Sequence, residues 1–131
     1  MLLVEKPEDS VIKKILVIDD DKLVLGSIKK QLKNKNLTIQ LIDDPIQAFE
    51  EISKNQYDLI LCDIRMKSIS GLDVLKRIKL KYPDIPVIII TGYIDDKIME
   101  NAVNLGSSDF LIKPITKKVL LNSISNIFAN I

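Results

Sequence analysis

The stretch Tyr57-Asp58-Leu59-Ile60-Leu61-Cys62-Asp63-Ile64-Arg65-Met66-Lys67-Ser68-Ile69-Ser70-Gly71 decides how this chain is read. Leu59 to Cys62 is a continuous apolar run, the pattern of a strand buried on both faces. It ends on one carboxylate, Asp63, before a polar loop closed by Gly71. In open α/β sheets chemistry collects at the carboxyl ends of the strands, which makes Asp63 the first candidate for a reacting group. Taken alone, such an Asp serves equally well to cap the following turn, so the rest of the chain must weigh the two.

Working outward, the same design recurs. Ile15 to Ile18 is a second apolar run and ends in Asp19, Asp20 and Asp21; Val87 to Ile90 is a third and ends in Thr91-Gly92; Phe110 to Ile112 ends in Lys113-Pro114. Thr38 to Ile42 alternates as an edge strand does. Helical spacing fills the intervals. Lys22 to Asn34 carries Leu23, Leu25, Ile28 and Leu32 with Asp21 placed to cap, and a second helix opens at Asp44-Pro45 with Ile46, Phe49 and Ile52 as its inward stripe. Leu72 to Lys81 turns Leu72, Leu75 and Ile78 inward, Asp95 to Leu105 closes at Gly106, and Thr116 to Ala129 buries Leu120, Ile124 and Ile127. Five strands alternating with five helices predict an α/β fold, a doubly wound parallel sheet covered on both faces. The order 2-1-3-4-5 is expected because it is a known doubly wound arrangement, not because the residues dictate it. Residues 1–13 are expected to be an N-terminal tail and 14–131 one domain.

Composition narrows the chemistry. With 131 residues the chain can remove roughly two-thirds of its unfolded surface from water without a disulfide. Lys plus Arg number 19 against 18 Asp plus Glu, so no broad positive field points to nucleic acid or a membrane surface. The single cysteine, Cys62, lies inside an apolar strand and reads as packing rather than a nucleophile. There is no histidine, which excludes Ser-His-Asp and Cys-His sites, histidine-ligated zinc and a phosphohistidine of the chain's own. The N-terminal residues form neither a signal peptide nor a membrane span, and a cytoplasmic location is expected.

On the predicted sheet, Asp19 and Asp20 end strand one, Asp63 strand three, Thr91 strand four and Lys113 strand five, so all five converge on one rim. Two carboxylates about 4 Å apart repel by roughly 4 kcal/mol at an effective dielectric near 20, so the cluster calls for a cation. Hard carboxylate oxygens with no soft or imidazole ligand suit Mg2+. Asp63 would then attack phosphorus as a carboxylate nucleophile while Lys113 and Thr91 meet the oxygens of the transferred group. Each residue has a plainer reading, as cap, turn or solvated lysine; their conjunction at four strand ends favours the functional one.

The segments Ile15–Asp21, Asp58–Met66, Ile88–Tyr93 and Asp109–Pro114 together resemble the receiver domain of bacterial two-component response regulators, over about Lys14 to Phe128. The resemblance implies the flavodoxin-like receiver fold and a signalling domain, not a turnover enzyme. It implies that Asp63 accepts a phosphoryl group from a phosphohistidine on a partner sensor histidine kinase. It further implies that Asp19, Asp20, Asp63 and the backbone carbonyl of Arg65 hold Mg2+, that Thr91 and Lys113 meet the phosphoryl group, and that Phe110 is the aromatic switch that follows Thr91. Lys67 stands where many receivers have proline, so a less rigid loop is expected there; Gly92 replaces a frequent alanine and loosens the next loop. Arg65 and Tyr93 flank the site and are expected to screen an acyl phosphate from water.

Phosphorylation is then expected to shift a two-state population and reshape the surface of helix four, strand five and helix five, where Tyr93, Ile94 and Met99 add apolar area. Symmetric homodimer pairing through that face is expected in the active state, with signal passed to a downstream protein or to an output domain beyond this chain. No direct nucleic-acid or membrane partner is expected. Ile131 as an apolar last residue fits a receiver cut from a longer chain, and a stand-alone receiver fits equally. Three rivals have less support: a degenerate receiver serving as a docking module, a haloacid-dehalogenase-like phosphatase built on Asp19 and Asp21, and an FMN carrier. The phosphatase reading lacks its Thr or Val at Leu23 and leaves Asp63 idle; the acidic loop after strand one repels a flavin phosphate.

Overall fold

The apolar runs become the middle of a sheet. In the computed structural model, which describes residues 12–33, 35–93 and 95–128, the order of elements is β1 (Lys13–Ile18), α1 (Lys22–Gln31), β2 (Leu37–Ile42), α2 (Pro45–Lys54), β3 (Leu59–Asp63), α3 (Gly71–Lys81), β4 (Val87–Thr91), α4 (Asp96–Asn104), β5 (Asp109–Ile112) and α5 (Lys117–Ile127). All strands pair in parallel in the order β2-β1-β3-β4-β5, as expected. The three central strands carry apolar residues on both faces because both faces are covered. Leu16, Ile18, Ile60, Cys62 and Ile89 pack against α2, α3 and α4, whereas Ile15, Val17, Leu61, Ile88 and Ile90 pack against α1 and α5. Each such side chain contributes on the order of 2 kcal/mol by leaving water.

Every described helix starts on a side-chain cap. Asp21 Oδ1 accepts the Leu23 N–H at 2.9 Å, and Asp44 Oδ1 accepts that of Ile46 at 2.9 Å with Pro45 at the first helical position. Ser70, Asp95 and Thr116 do the same for α3, α4 and α5. Gly106, at φ +97°, takes the left-handed turn that stops α4, a conformation glycine adopts without strain.

Several expected details move. Strand β1 begins at Lys13, inside the stretch expected as tail, because the Lys13 N–H donates to Asn36 O at 3.2 Å. Helix α1 ends at Gln31 with Leu32 as its cap, and α5 begins at Lys117 because Thr116 caps it rather than joining it. In α2 the inward stripe is Pro45, Ala48 and Ile52 with Phe49 half-buried, while Ile46 faces solvent. Ala48 is fully buried on the sheet side, while Ile46 is 52% exposed. Residues 1–11, Asn34, Ile94, Ala129 and Ile131, all used in the sequence reading, lie outside the described residues.

Candidate functional site

Because β1 and β3 are neighbours and Ile18 is level with Cys62, the residues that follow, Asp19 and Asp63, emerge side by side at the carboxyl edge. The next connections lead away from each other, to β2 on one side and β4 on the other, and a crevice opens between them. Oxygens of Asp19, Asp20 and Asp63 lie within 4.8 Å of one another. Asp19 is fully buried and Asp63 nearly so. Backbone donors hold each in place: Asp21 N–H to Asp19 Oδ1 at 2.9 Å, Ile64 N–H to Asp63 Oδ1 at 2.9 Å, and Lys67 N–H to Asp20 Oδ2 at 3.0 Å.

Lys113 closes the cluster from β5. Its Nζ is 2.8 Å from Asp19 Oδ2 and 3.4 Å from Asp63 Oδ2. Asp19 Oδ2 is fully buried, and the Lys113 ammonium is the charge that faces it. Burial pushes the Asp63 carboxyl up to about 6, the Asp19 charge adds to the rise, and Lys113 with the Ile64 N–H partly offsets it. For Lys113, burial works downward, but the attraction of Asp19 and then of Asp63 outweighs it and the net shift is upward. The Cys62 thiol is pushed up by burial and then by the charges of Asp63 and Asp19, which makes it a packing group, as its position in the strand indicated.

Thr91 ends β4 beside this cluster, buried, with its Oγ1 accepting the Tyr93 N–H at 3.2 Å and its carbonyl accepting the Lys113 N–H at 2.8 Å. Asp19, Asp20, Asp63 and Lys113 are thus brought together, and Thr91 is tied to Lys113 through the backbone. Phe110 is not at the rim. It pairs with Ile89, two residues before Thr91, and is half-buried in the core layer with α2, α3 and α4. The guanidinium of Arg65 stacks on the Tyr93 ring, 3.7 Å from its centroid, and joins the loop after β3 to the loop after β4.

Two residues matter more than their sequence indicated. Lys67, expected to loosen its loop, ties that loop down instead: its N–H is the donor that fixes Asp20, and proline has no such hydrogen. Gly71 does more than end a polar stretch. A Cβ there would stand 1.9 Å from the Asp63 carbonyl oxygen, so only glycine lets α3 start against the backbone of the acid. Its N–H also donates to Ile64 O at 2.8 Å. Gly92 is less constrained, since an added Cβ would meet only the Lys113 side chain at 3.8 Å.

The donor set fits a small, hard, divalent cation. Three carboxylates within 4.8 Å offer oxygen ligands only, and the single ammonium of Lys113 does not balance their charge.

Comparison with known proteins agrees with this geometry. The family described as response regulator receiver domain matches residues 15–125. The transcriptional regulatory protein ZraR of Klebsiella oxytoca is 35% identical over 116 residues, which cover 88% of this chain and 26% of that protein. A two-component response regulator from Clostridium difficile superposes with a TM-score of 0.85 at 31% identity, covering 90% of this chain and 97% of that one. The chemotaxis protein CheY4 of Vibrio cholerae also gives a TM-score of 0.85, and at 19% identity it speaks for the fold alone. The chain spans about a quarter of the length of the ZraR relatives it matches.

Proposed function

This chain belongs to the response regulator receiver domain family, and from that premise we propose that Asp63 is its phospho-acceptor, supplied by a phosphohistidine of a partner sensor histidine kinase. The observation that carries the reading is the meeting of Asp19, Asp20 and Asp63 within 4.8 Å, with Lys113 Nζ 2.8 and 3.4 Å from two of them. In the transfer, an Asp63 carboxylate oxygen forms a bond to phosphorus as the P–N bond of the donor breaks. The electron pair returns to the imidazole nitrogen, which takes up a proton. Asp19, Asp20, Asp63 and the Arg65 carbonyl would hold Mg2+, which when bound neutralises charge on the transferring oxygens.

The chain's own groups do the rest. Lys113, held cationic by Asp19 and Asp63, stands ready to shift its ion pair to a phosphoryl oxygen. The Thr91 hydroxyl is free to donate a hydrogen bond to a second oxygen, and its movement draws the loop of Tyr93 with it. Phe110, below Thr91 in the core, then repacks, and the α4–β5–α5 surface changes to favour a second receiver, a downstream protein or an output domain. The Arg65–Tyr93 stack covers the crevice and slows attack of water on the acyl phosphate. Phosphoryl transfer from a partner sensor kinase places the protein in the cytoplasm on this reading. No helix of the described residues is long and apolar enough to cross a membrane.

The test is intact mass after incubation with Mg2+ and acetyl phosphate. One phosphoryl group is gained by the unsubstituted chain and by neither an Asp63→Asn variant nor an EDTA-treated sample. No gain, with Mg2+ binding also absent, would instead favour a receiver used only as a docking module.

A further inference from the structure

Among the described residues nothing protects the β2 edge of the sheet. Edge strands in natural proteins are shielded by charge, proline or a bulge, yet Leu37-Thr38-Ile39-Gln40-Leu41-Ile42 contains neither charge nor proline and runs in unbroken register with β1. Lys13 N–H donates to Asn36 O and Asp19 N–H to Ile42 O, so the even-numbered residues of β2 turn their polar groups toward β1. Alternate residues of a parallel strand serve opposite neighbours, so the N–H and C=O groups of Leu37, Ile39 and Leu41 point outward. Among the described residues no strand takes them.

The space beside this edge is open as well. A hollow of about 550 Å³ lies over Leu37 and Ile39, and another of about 610 Å³ borders Gln40, Leu41 and Ile42. The two share Gly26 of α1, where an added Cβ would meet nothing within 4 Å. Cations precede the strand, at Lys33 and Lys35, and anions follow it, at Asp43 and Asp44. A strand with that polarity complements an antiparallel copy of itself.

We propose that β2 is a homodimer interface in which two copies pair antiparallel about a twofold axis through Ile39. Leu37 lies opposite the partner's Leu41, Thr38 opposite the partner's Gln40, and Lys35 opposite the partner's Asp43. Apolar side chains meet on the α1 side, polar ones on the α2 side, and the outward groups exchange about six backbone hydrogen bonds. A slip of two residues sets a charge against leucine, and a slip of one turns the outward groups away from each other, so the register is unique. Asp43 already lies 3.7 Å from Lys22, but that pair is exposed and weak and leaves the carboxylate open to Lys35 of the partner subunit. The contact is isologous and closes on itself. It uses the sheet edge opposite α4–β5–α5 and does not involve Asp63, so it is independent of phosphorylation.

Sedimentation velocity on the full chain across the micromolar range tests this, with Lys35→Glu and Asp43→Lys variants at two exposed positions. Each variant alone sets like charges opposite each other twice per dimer and weakens self-association roughly tenfold or more. An equimolar mixture of the two restores opposite charges at both contacts and associates as tightly as the unsubstituted chain. An Ile39→Pro variant removes an outward N–H, keeps the ladder to β1 and is monomeric. A chain that stays monomeric throughout would overturn the proposal. So would a dimer indifferent to both charge reversals, a mixture that fails to associate, or a dimer dispersed by Val103→Glu on the exposed side of α4.

Discussion

Replacing Asp63 with asparagine should stabilise the cation-free protein, by an amount that depends on pH. In the folded chain this carboxyl titrates at about 6 instead of its ordinary 3.8, because burial first and the Asp19 charge second disfavour ionisation. A shift of about two pH units corresponds to on the order of 3 kcal/mol. Between pH 4 and 6 the folded state keeps a proton that the unfolded state has released, so stability falls as pH rises. The contribution is fully present below about pH 4 and is lost as pH rises through the folded value near 6. Asparagine mimics the protonated acid: it has nearly the same volume, keeps an acceptor for the Ile64 N–H, and leaves Lys113 its pair with Asp19. Thermal melts in EDTA should therefore give equal midpoints for the two proteins near pH 4. By pH 7 the variant should lead by about 10 °C, taking about 4 °C per kcal/mol for a chain of this size. Added Mg2+ should raise the unsubstituted protein and close the gap. A difference that stays constant from pH 4 to 7, or a variant less stable than its parent at pH 7, would refute the reasoning.

Other consequences follow from single contacts. Gly71→Ala drives a methyl group into the Asp63 carbonyl, so the loop must move; a loss of about 3 kcal/mol in urea unfolding and of phosphorylation by acetyl phosphate is expected. Lys67→Pro deletes the donor that fixes Asp20 and should weaken Mg2+ binding by about fivefold in titrations that follow the ion, whereas tighter binding would mean that this N–H competes with the cation. Arg65→Ala and Tyr93→Ala each break the same stack, so each should shorten the acyl-phosphate lifetime several-fold and the double variant no further; an unchanged phosphate-release rate would remove the stack's screening role.

The fold was legible because its central strands are buried on both faces, and that burial writes itself as uninterrupted apolar runs at Ile15, Leu59 and Val87. The rim was legible for the same reason, since a charged or hydroxyl residue that interrupts such a run must lie where the strand surfaces. What escaped was set by backbone. Nothing in the side chains of Lys67 or Gly71 reports that one supplies an N–H to Asp20 and the other leaves room for the Asp63 carbonyl. Helix rotation was also hidden. Ile46 and Phe49 fit the inward spacing as well as Ala48 does, and only the folded packing shows that the smaller residue is the one fully buried.

Under the proposed function, the site's charge accounts for how one arrangement would serve both an empty and an occupied state. Three ionised carboxylates and one ammonium leave a net charge of −2, from −3 and +1, in a crevice where two of the acids are almost wholly buried. Lys113 alone does not balance it, and the raised proton affinity of Asp63 is the visible result. A divalent cation brings the sum to zero and removes that penalty. A phosphoryl dianion on Asp63 replaces one negative charge with two and moves the sum to −1. The new charge sits farther out, on oxygens beyond the carboxylate. Lys113 then has reason to leave Asp63 Oδ2 at 3.4 Å and follow the charge outward, while its shorter contact with Asp19 anchors the chain of β5. Because the Lys113 N–H is bonded to the Thr91 carbonyl, any shift of the β5 backbone that accompanies this change would reach the end of β4 directly. If Lys113 follows the phosphoryl group as proposed, no contact between the Thr91 and Lys113 side chains is needed: the sheet ladder already joins the end of β5 to the end of β4.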